Sequence, residues 1–597
     1  MLKSRIEIKN GRPCLFINGA ETTAMAYTTY FEERSRYADF IAAGYRIFFV
    51  NVSFTTAPIN SYTGFSPFRI GVFENPDVRD YSEFEDAVHK ILAVCPDAII
   101  FPRVNISMPE WWVRSHPDDV APTSRGGYRE SLVSEGFRED GARLLKELVR
   151  HIMTSDYSDR VGGWQICGGM TQEWFHHGYN GSLCPATEKA YQRYAGQSVA
   201  LPSLSDYLND GKGGYNENEN ARRYARFSSV GVAETIEHFA RVIKQETENE
   251  QIVGVFYGYS LESNGTVLFG SHAIGRLLDS KSLDFFSSPN AYTDNRAFGI
   301  DWADMIAVDS VKHHGKLAFI ECDVRTNLTI SIQEARPDEY PDDIYRTKDG
   351  ASVWVGPKTR KASLEGLRKC FAHQITKGSA IWWFDMWGGW YDDPEFMNEL
   401  HKMKTVYDKK NGKEKSYTSP DVAVFIDESG YSCLYDKSPE LSGIYETRTA
   451  LGNTGVPFDS FLVEDAADVL ARYKAAIFVM PIPSEAGKDA IKLAENLGIP
   501  YLTASLEHPS LSKDELSEFY KKSKIHFYTD SDDVVYLGNG YIGLHSADGG
   551  KKRLYLKERY TATPIIGSNL SEYEGDVFEF DLSKHETVLF ALDKPSD

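Results

Sequence analysis

The chain lacks any C-x-x-C pair: its seven cysteines, at positions 14, 95, 167, 184, 322, 370 and 433, are scattered over 597 residues. That scatter excludes a recognisable structural zinc motif and argues against a disulfide framework. Positive charge is also short, with 65 Lys and Arg against 86 Asp and Glu and a net charge of −21. A surface of that sign repels phosphate backbones and anionic lipid, so neither nucleic acid nor membrane is an expected partner. It suits a neutral substrate better than a polyanionic one. No apolar run is long enough to span a bilayer. The N-terminus, Met1-Leu2-Lys3-Ser4-Arg5-Ile6, alternates like a strand and lacks the apolar core and small-residue cleavage site of a signal peptide. A reducing, cytoplasmic setting is the expectation. There is no G-x-G-x-x-G, no phosphate-binding Gly-rich loop, no internal repeat and no low-complexity tract, so no nucleotide cofactor is inferred.

What the chain does have is rhythm. From about residue 20 to 410, short apolar runs alternate with longer amphipathic stretches. The expected strands are Thr23–Tyr27, Tyr45–Val52, Ala98–Ile106, Gly163–Cys167, Ile252–Tyr259, Leu283–Ser287, Leu317–Glu321 and Ala380–Asp385. Between them, Phe137–Ile152 places Phe137, Leu144, Leu145, Leu148, Val149 and Ile152 on one helical face. Ala221–Thr247 does the same with Phe227, Val230, Ile236, Phe239 and Ile243. Eight strands alternating with helices predict parallel pairing, and a closed (β/α)8 TIM barrel is the simplest solution for residues 1–415. Long loops rich in Gly, Pro, Asn and Ser are expected at 54–80, 107–136, 174–220 and 322–362, where such barrels build their sites. Tyr407–Ser419 is polar and Lys-rich and reads as a linker. Residues 419–524 resume the strand–helix rhythm as a small flavodoxin-like α/β domain. Residues 525–597 are alternating and turn-rich, a small C-terminal β domain.

Catalytic residues of such barrels sit at the carboxyl ends of strands. Two acids stand there. Glu173 follows the fourth strand in Gly168-Gly169-Met170-Thr171-Gln172-Glu173-Trp174, and Glu321 closes the seventh in Leu317-Ala318-Phe319-Ile320-Glu321. Strands four and seven lie across a barrel from each other, so both side chains can enter one cavity. Cleaving a glycosidic bond needs two such carboxyls: one protonated to assist the leaving oxygen, one ionised to attack the anomeric carbon. The apolar flanks of Glu173 (Met170, Trp174, Phe175) can raise its pKa by desolvation. A lone Glu173 would read as a solvated loop carboxylate. Glu321 resists that reading, because it directly ends an apolar strand.

This part of the chain resembles clan A glycoside hydrolases, in layout the β-galactosidases of glycoside hydrolase family forty-two. Pro102-Arg103-Val104, Pro109-Glu110-Trp111-Trp112, His116-Pro117-Asp118 and Ser131-Leu132-Val133-Ser134 carry the likeness along with the two acids. The resemblance implies a retaining exo-β-glycosidase, a β-galactosidase, with Glu173 as acid/base, Glu321 as nucleophile, and no cofactor or metal. It also likens the small α/β domain to that family's trimerisation domain, implying a homotrimer. Two departures are visible: Gln172 stands where the clan has Asn before the acid/base, and the family's cysteine-rich zinc site is missing. Gln172 either takes the Asn role toward the sugar 2-hydroxyl or belongs to a differently built loop.

Other residues at the expected mouth carry two readings each. Arg103 either holds the nucleophile or a sugar hydroxyl, or forms a structural ion pair inside the barrel. Tyr292 either bonds the nucleophile or packs. Among Trp382, Trp383, Trp387, Trp390 and Tyr391, one or two stack on a sugar ring; Trp383 and Asp385 share one face of the eighth strand, and with Trp387 they are the picks for substrate contact. Asp323 and Arg325 read as a local ion pair, and His176-His177 as solvated loop histidines without a third metal ligand. Two rival functions remain: the same machinery on another sugar (a β-mannosidase or β-glucosidase), and a carbohydrate-binding barrel without turnover.

Overall fold

The computed structural model describes residues 1–178, 183–208, 213–262, 265–292, 296–348, 350, 354–410, 418–567 and 569–594. Eight apolar runs form strands: β1 (Met25–Thr29), β2 (Ile47–Ser53), β3 (Ile99–Ile106), β4 (Gly163–Gly168), β5 (Ile252–Phe256), β6 (Phe285–Ser287), β7 (Leu317–Cys322) and β8 (Ala380–Asp385). Each overlaps its expected run. They pair in chain order into a closed barrel, β8 returning to β1 with Ile381 opposite Met25 and Asp385 opposite Thr29. All pairs are parallel, as helical crossovers require.

The crossover helices show why these segments fold as they do. Ser134 caps Glu135–Thr154 by accepting from Phe137 N, and the helix buries the Phe137, Leu144, Leu145, Leu148, Val149, Ile152 face. Asn218 caps Glu219–Glu246, which buries Phe227, Ile236, Phe239 and Ile243, with Val230 half-buried at the margin. Thr359 caps Arg360–Lys377, and the helix ends at Gly378 with φ +75°, a left-handed turn suited to glycine. An antiparallel sheet of Ser4–Lys9, Arg12–Ile17 and Ala20–Glu21 packs at the amino-terminal end of the barrel, where the Ser4 hydroxyl accepts from Ile252 N at 2.9 Å.

The barrel interior is layered. At its base the rings of Phe49, Phe101, Phe285, Phe319 and Trp382 interlock, with Phe49 lying 5.1 Å from Phe101, 5.2 Å from Phe319 and 5.6 Å from Trp382. One pleat higher, toward the carboxyl ends of the strands, come Asn51, Arg103 and Gln165, in register across β2, β3 and β4. A plug of aromatic rings under a charged layer excludes water from below, so charges above it face a low dielectric.

After the barrel, helix Pro394–Lys410 takes in the first residues of the expected linker, and 411–417 fall outside the described residues. Next comes a four-stranded parallel sheet of β9 (Val422–Ile426), β10 (Phe458–Leu462), β11 (Ala475–Val479) and β12 (Tyr501–Thr503), in the order β10-β9-β11-β12. That is the flavodoxin-like winding. A five-stranded antiparallel sheet from Val534 to Asp593 completes the fold. The α/β unit braces the barrel beside its mouth. Ser260 donates to Glu428, Asp436 accepts from the backbone N–H groups of Thr266, Val267 and Leu268, and Arg448 pairs with Glu262 at 2.6 Å. These contacts fix the segment after β5. None of the seven cysteines forms a disulfide. Among the described residues, no helix is long and apolar enough to cross a membrane.

Candidate active site

Glu173 and Glu321 line one cavity of about 360 Å³ at the carboxyl end of the barrel, within the range of small-ligand pockets. Tyr30, Phe65, Phe256, Tyr292, Tyr345, Trp354 and Phe384 give it aromatic walls, and Arg325 enters from one side. Glu321 is held by the ladder of the barrel itself, its N–H donating to Ser288 O at 2.9 Å. Its Oε2 is buried and accepts no hydrogen bond among the described residues.

Glu173 is presented differently. After β4 the chain doubles back on itself, Trp174 N donating to Gly168 O and Met170 N to Phe175 O, both at 2.8 Å. The reversal needs positive φ at Gly169 (+64°), Thr171 (+58°), Gln172 (+67°) and Trp174 (+61°). Left-handed non-glycine residues cost on the order of 1 kcal/mol or more each and persist only where the surroundings over-determine them. Here Thr171 N is tied to Ile59 O at 2.6 Å. A Cβ on Gly169 would lie 2.5 Å from Phe175 O, so only glycine fits there.

The Glu173 carboxylate receives a 2.6 Å hydrogen bond from the Tyr259 hydroxyl at Oε1, and Thr171 Oγ1 meets Oε2. Thr171 Oγ1 also lies 2.7 Å from Met170 O, which can only accept. A hydroxyl has one proton. If it goes to Met170 O, the contact with Glu173 requires a proton on the carboxyl. Burial pushes Glu173 up to about 7, against the pull of the Thr171 and Tyr259 bonds and the Arg103 charge. Burial also pushes Glu321 well up, with Asp323 and Glu173 adding to it; Arg103 and Arg296 oppose. Both carboxyls are thus pushed toward the protonated form, chiefly by burial. Arg103 opposes the upward shift of both carboxyls, and Arg296 also opposes that of Glu321.

Arg103 is fully buried beneath the pair. Its Nε donates to Gln165 Oε1 at 3.0 Å, and its Nη1 to Asn51 Oδ1 at 3.1 Å and to Gln172 Oε1, while the buried Nη2 makes no hydrogen bond among the described residues. Rings of Tyr30, Phe256, Trp382 and Phe384 surround the guanidinium at 5.4–5.9 Å. Of its two sequence readings, neither a carboxylate clamp nor an ion pair is formed among the described residues; the oxygens it donates to belong to amides. Gln172 Oε1 also accepts from the Tyr30 hydroxyl at 2.8 Å, and the buried Nε2 donates to nothing among the described residues.

Several expectations need correction. Tyr292 lines the cavity, but its hydroxyl donates to Asp323 Oδ2 at 2.9 Å, not to Glu321. Asp323 pairs with Arg296 at 2.5 Å; Arg325 lies over the Trp354 ring at 5.0 Å. Trp383 and Asp385 do not line the cavity. Pleating turns Trp382 and Phe384 inward on β8, so Trp383 and Asp385 face the outer layer. There Trp383 donates to Tyr45 at 2.9 Å, and Asp385 accepts from Tyr27, Gly389 N and Trp390 N. Trp387 is buried behind the wall, packed on Phe65, Tyr345 and Trp354. His176 and His177 are not solvated: His176 meets Ser228 at 2.8 Å and His177 meets Ser61 at 3.0 Å. Burial drives His176 down to about 4, so it is neutral.

The sequence reading missed Tyr259, Arg296 and most of the aromatic wall. Tyr259 closes the expected Ile252–Tyr259 run, and the strand-end rule applied there would have found it. Among the described residues, no group of three or more His, Cys, Asp or Glu is placed to hold a metal ion.

No protein-family model and no curated protein sequence matches the chain. Solved structures do. A β-galactosidase from Bacillus circulans sp. alkalophilus superposes with a TM-score of 0.61 at 11% identity, over 95% of this chain and 99% of that one. Gan42B, a GH42 β-galactosidase of G. stearothermophilus, gives 0.61 at 10% identity over the whole of both chains. An exo-carrageenase of GH42 from Bacteroides ovatus gives 0.56 at 11% identity, over 99% of this chain and 85% of that one. The barrel with its two appended sheets is therefore the fold these enzymes share, as the sequence resemblance implied. At such identities the likeness establishes fold, and the enzymes named differ in substrate.

Proposed function

We propose that this protein is a retaining exo-β-glycosidase that removes terminal β-galactosyl units. One observation carries the reading: two buried carboxyls from facing strands, one pushed up to about 7, share an aromatic-walled pocket of sugar size. Glu173 enters the reaction protonated and gives its proton to the departing glycosidic oxygen. Glu321 attacks the anomeric carbon from the opposite face in its ionised form, the form that Arg103 and Arg296 support against burial. Glu173, now ionised, then takes a proton from water, which hydrolyses the glycosyl-enzyme and returns both groups to their starting state.

The rest of the site serves that sequence. Arg103 spreads positive potential over a plug that admits no water, where charge stabilisation is strongest. The walls of Tyr30, Trp354, Tyr345 and Phe384 offer faces for the apolar side of a sugar ring. Gln172, which stands where the clan has Asn, is fully buried and does not line the cavity; its part is to hold Arg103 and Tyr30 in place beside Glu173. A homotrimer goes with the resemblance to family forty-two, and a reducing, cytoplasmic setting with the scatter of the cysteines; light scattering against the 67.3 kDa protomer tests the assembly.

A panel of nitrophenyl glycosides, with the product anomer followed by proton NMR, tests the reaction. Release of β-galactose as the first-formed sugar is expected. First-formed α-galactose would exclude retention, preference for a manno- or glucoside would move the reading to another sugar, and no turnover would leave a binding protein.

A further inference from the structure

A second concavity adjoins the pocket. It is an open cleft of about 790 Å³ between the 57–64 loop, helix Glu110–Ser115 and the antiparallel ribbon Val120–Pro122/Tyr128–Glu130. Asn60 lines both spaces. The shared loop is fastened to the Glu173 turn by the Thr171 N to Ile59 O bond and by Ser61 Oγ to His177 Nδ1 at 3.0 Å. The cleft therefore opens on the acid/base side, toward which a leaving group departs.

Its lining is basic within an acidic protein. Arg114, Arg125 and Arg129 face it, with Glu110 the one acid. Glu110 pairs with Arg114 at 2.9 Å, both exposed. Arg129 is buried and bonded to Glu130 at 3.1 Å, yet its buried Nε donates to nothing among the described residues. His177 stands 3.5 Å from Oε1 of that glutamate. Arg129 and His177 outweigh burial and hold Glu130 ionised, down to about 2, so the glutamate anchors Arg129 without titrating near neutrality. Arg125, at the ribbon tip, has no carboxylate partner among the described residues; it donates to Thr63 O. Beside it the Tyr128 ring is 59% exposed.

We propose that this cleft receives a leaving-group saccharide bearing one negative charge, a sulfate ester or a uronate carboxylate. This rests on the glycosidase reading for its geometry. Guanidinium groups match the oxygens of either anion by paired N–H donors, and an exposed phenol offers a face for the attached ring. A net charge of −21 repels a polyanion at long range, so the site suits a singly charged unit gripped at short range.

Calorimetry on full-length Glu321→Gln protein tests this with three probes: neutral β-galactotriose, the same trisaccharide with one sulfate ester, and one ending in galacturonate. At low salt the charged probes are expected to bind about tenfold tighter than the neutral one, the gap shrinking as the Debye length falls to ~8 Å at physiological salt. Preference for sulfate alone or uronate alone identifies the source of the charge. The Arg114→Ala/Arg125→Ala pair is exposed and spares the buried Arg129–Glu130 bond; it should erase most of the gap. Equal affinities for all three probes, or a gap unchanged in the double variant, would overturn the proposal. Charge-dependent binding by a protein whose parent hydrolyses no glycoside would leave the cleft standing and sink the hydrolase.

Discussion

Removing the Tyr259 hydroxyl should shift the pH dependence of the reaction without touching either carboxyl. Tyr259 donates to Glu173 Oε1 at 2.6 Å. Burial and the Glu173 charge push its own phenol far above the usual range, so it remains a donor at every working pH. A hydrogen bond to a charged group is worth about 1.5–3 kcal/mol, and each pKa unit corresponds to about 1.4 kcal/mol. Tyr259→Phe withdraws that support from the ionised form of Glu173 only. Its pKa, already about 7, should rise by roughly 1–2 units. The Glu173 proton is then lost at higher pH. In a profile of kcat/KM against pH on an aryl β-galactoside, the alkaline limb moves up by that amount. The same profile on Tyr259→Ala guards against a packing artefact, because it should move the limb in the same direction. A limb that stays in place, or moves down, would refute the assignment of Glu173 as the proton donor.

Two further outcomes follow from the same geometry. Glu173 is held above its ordinary value of 4.5, so the folded state binds the extra proton; the stabilising contribution is full below about pH 4.5 and is lost as pH rises through about 7. Glu173→Gln, which cannot ionise, should therefore be more stable than the parent above pH 8, by up to about 3 kcal/mol, and equal to it near pH 4 in denaturant titrations; a constant difference across pH would contradict this. Trp354→Ala, which removes a cavity wall, should raise KM about tenfold with a smaller change in kcat, whereas Trp383→Phe, outside the cavity, should leave KM alone and cost stability, read by thermal unfolding.

The barrel was legible because its strands are the apolar runs of the chain, from the Ile47–Ser53 stretch to Ala380–Asp385, and each is set off by amphipathic helices. The two acids were legible because strand ends are where a barrel exposes side chains. Which face of a strand points inward was not. Both faces of β8 are buried, so Trp382, Trp383, Phe384 and Asp385 show no polar alternation, and the outward pair was taken for the inward one. The His176-His177 pair sits in a segment with Gly and Asn nearby and looked solvated; its burial comes from Ser61 and Ser228, both far off in the chain. Asp323 likewise has a near neighbour in Arg325, but its partner is Arg296, brought in by the loop after β6. Hydrogen bonds between distant loops leave no local pattern to read.

The most direct test of the central claim is chemical rescue of Glu321→Gly with azide on an activated aryl β-galactoside. Without azide this variant should be inactive; with it, activity should return and the product should be the α-galactosyl azide, because azide enters the space vacated by the nucleophile while Glu173 still serves the leaving group. Glu173→Ala under the same conditions should yield the β-azide. An α-azide from Glu173→Ala, or near-normal hydrolysis by Glu321→Gly without azide, would contradict the account.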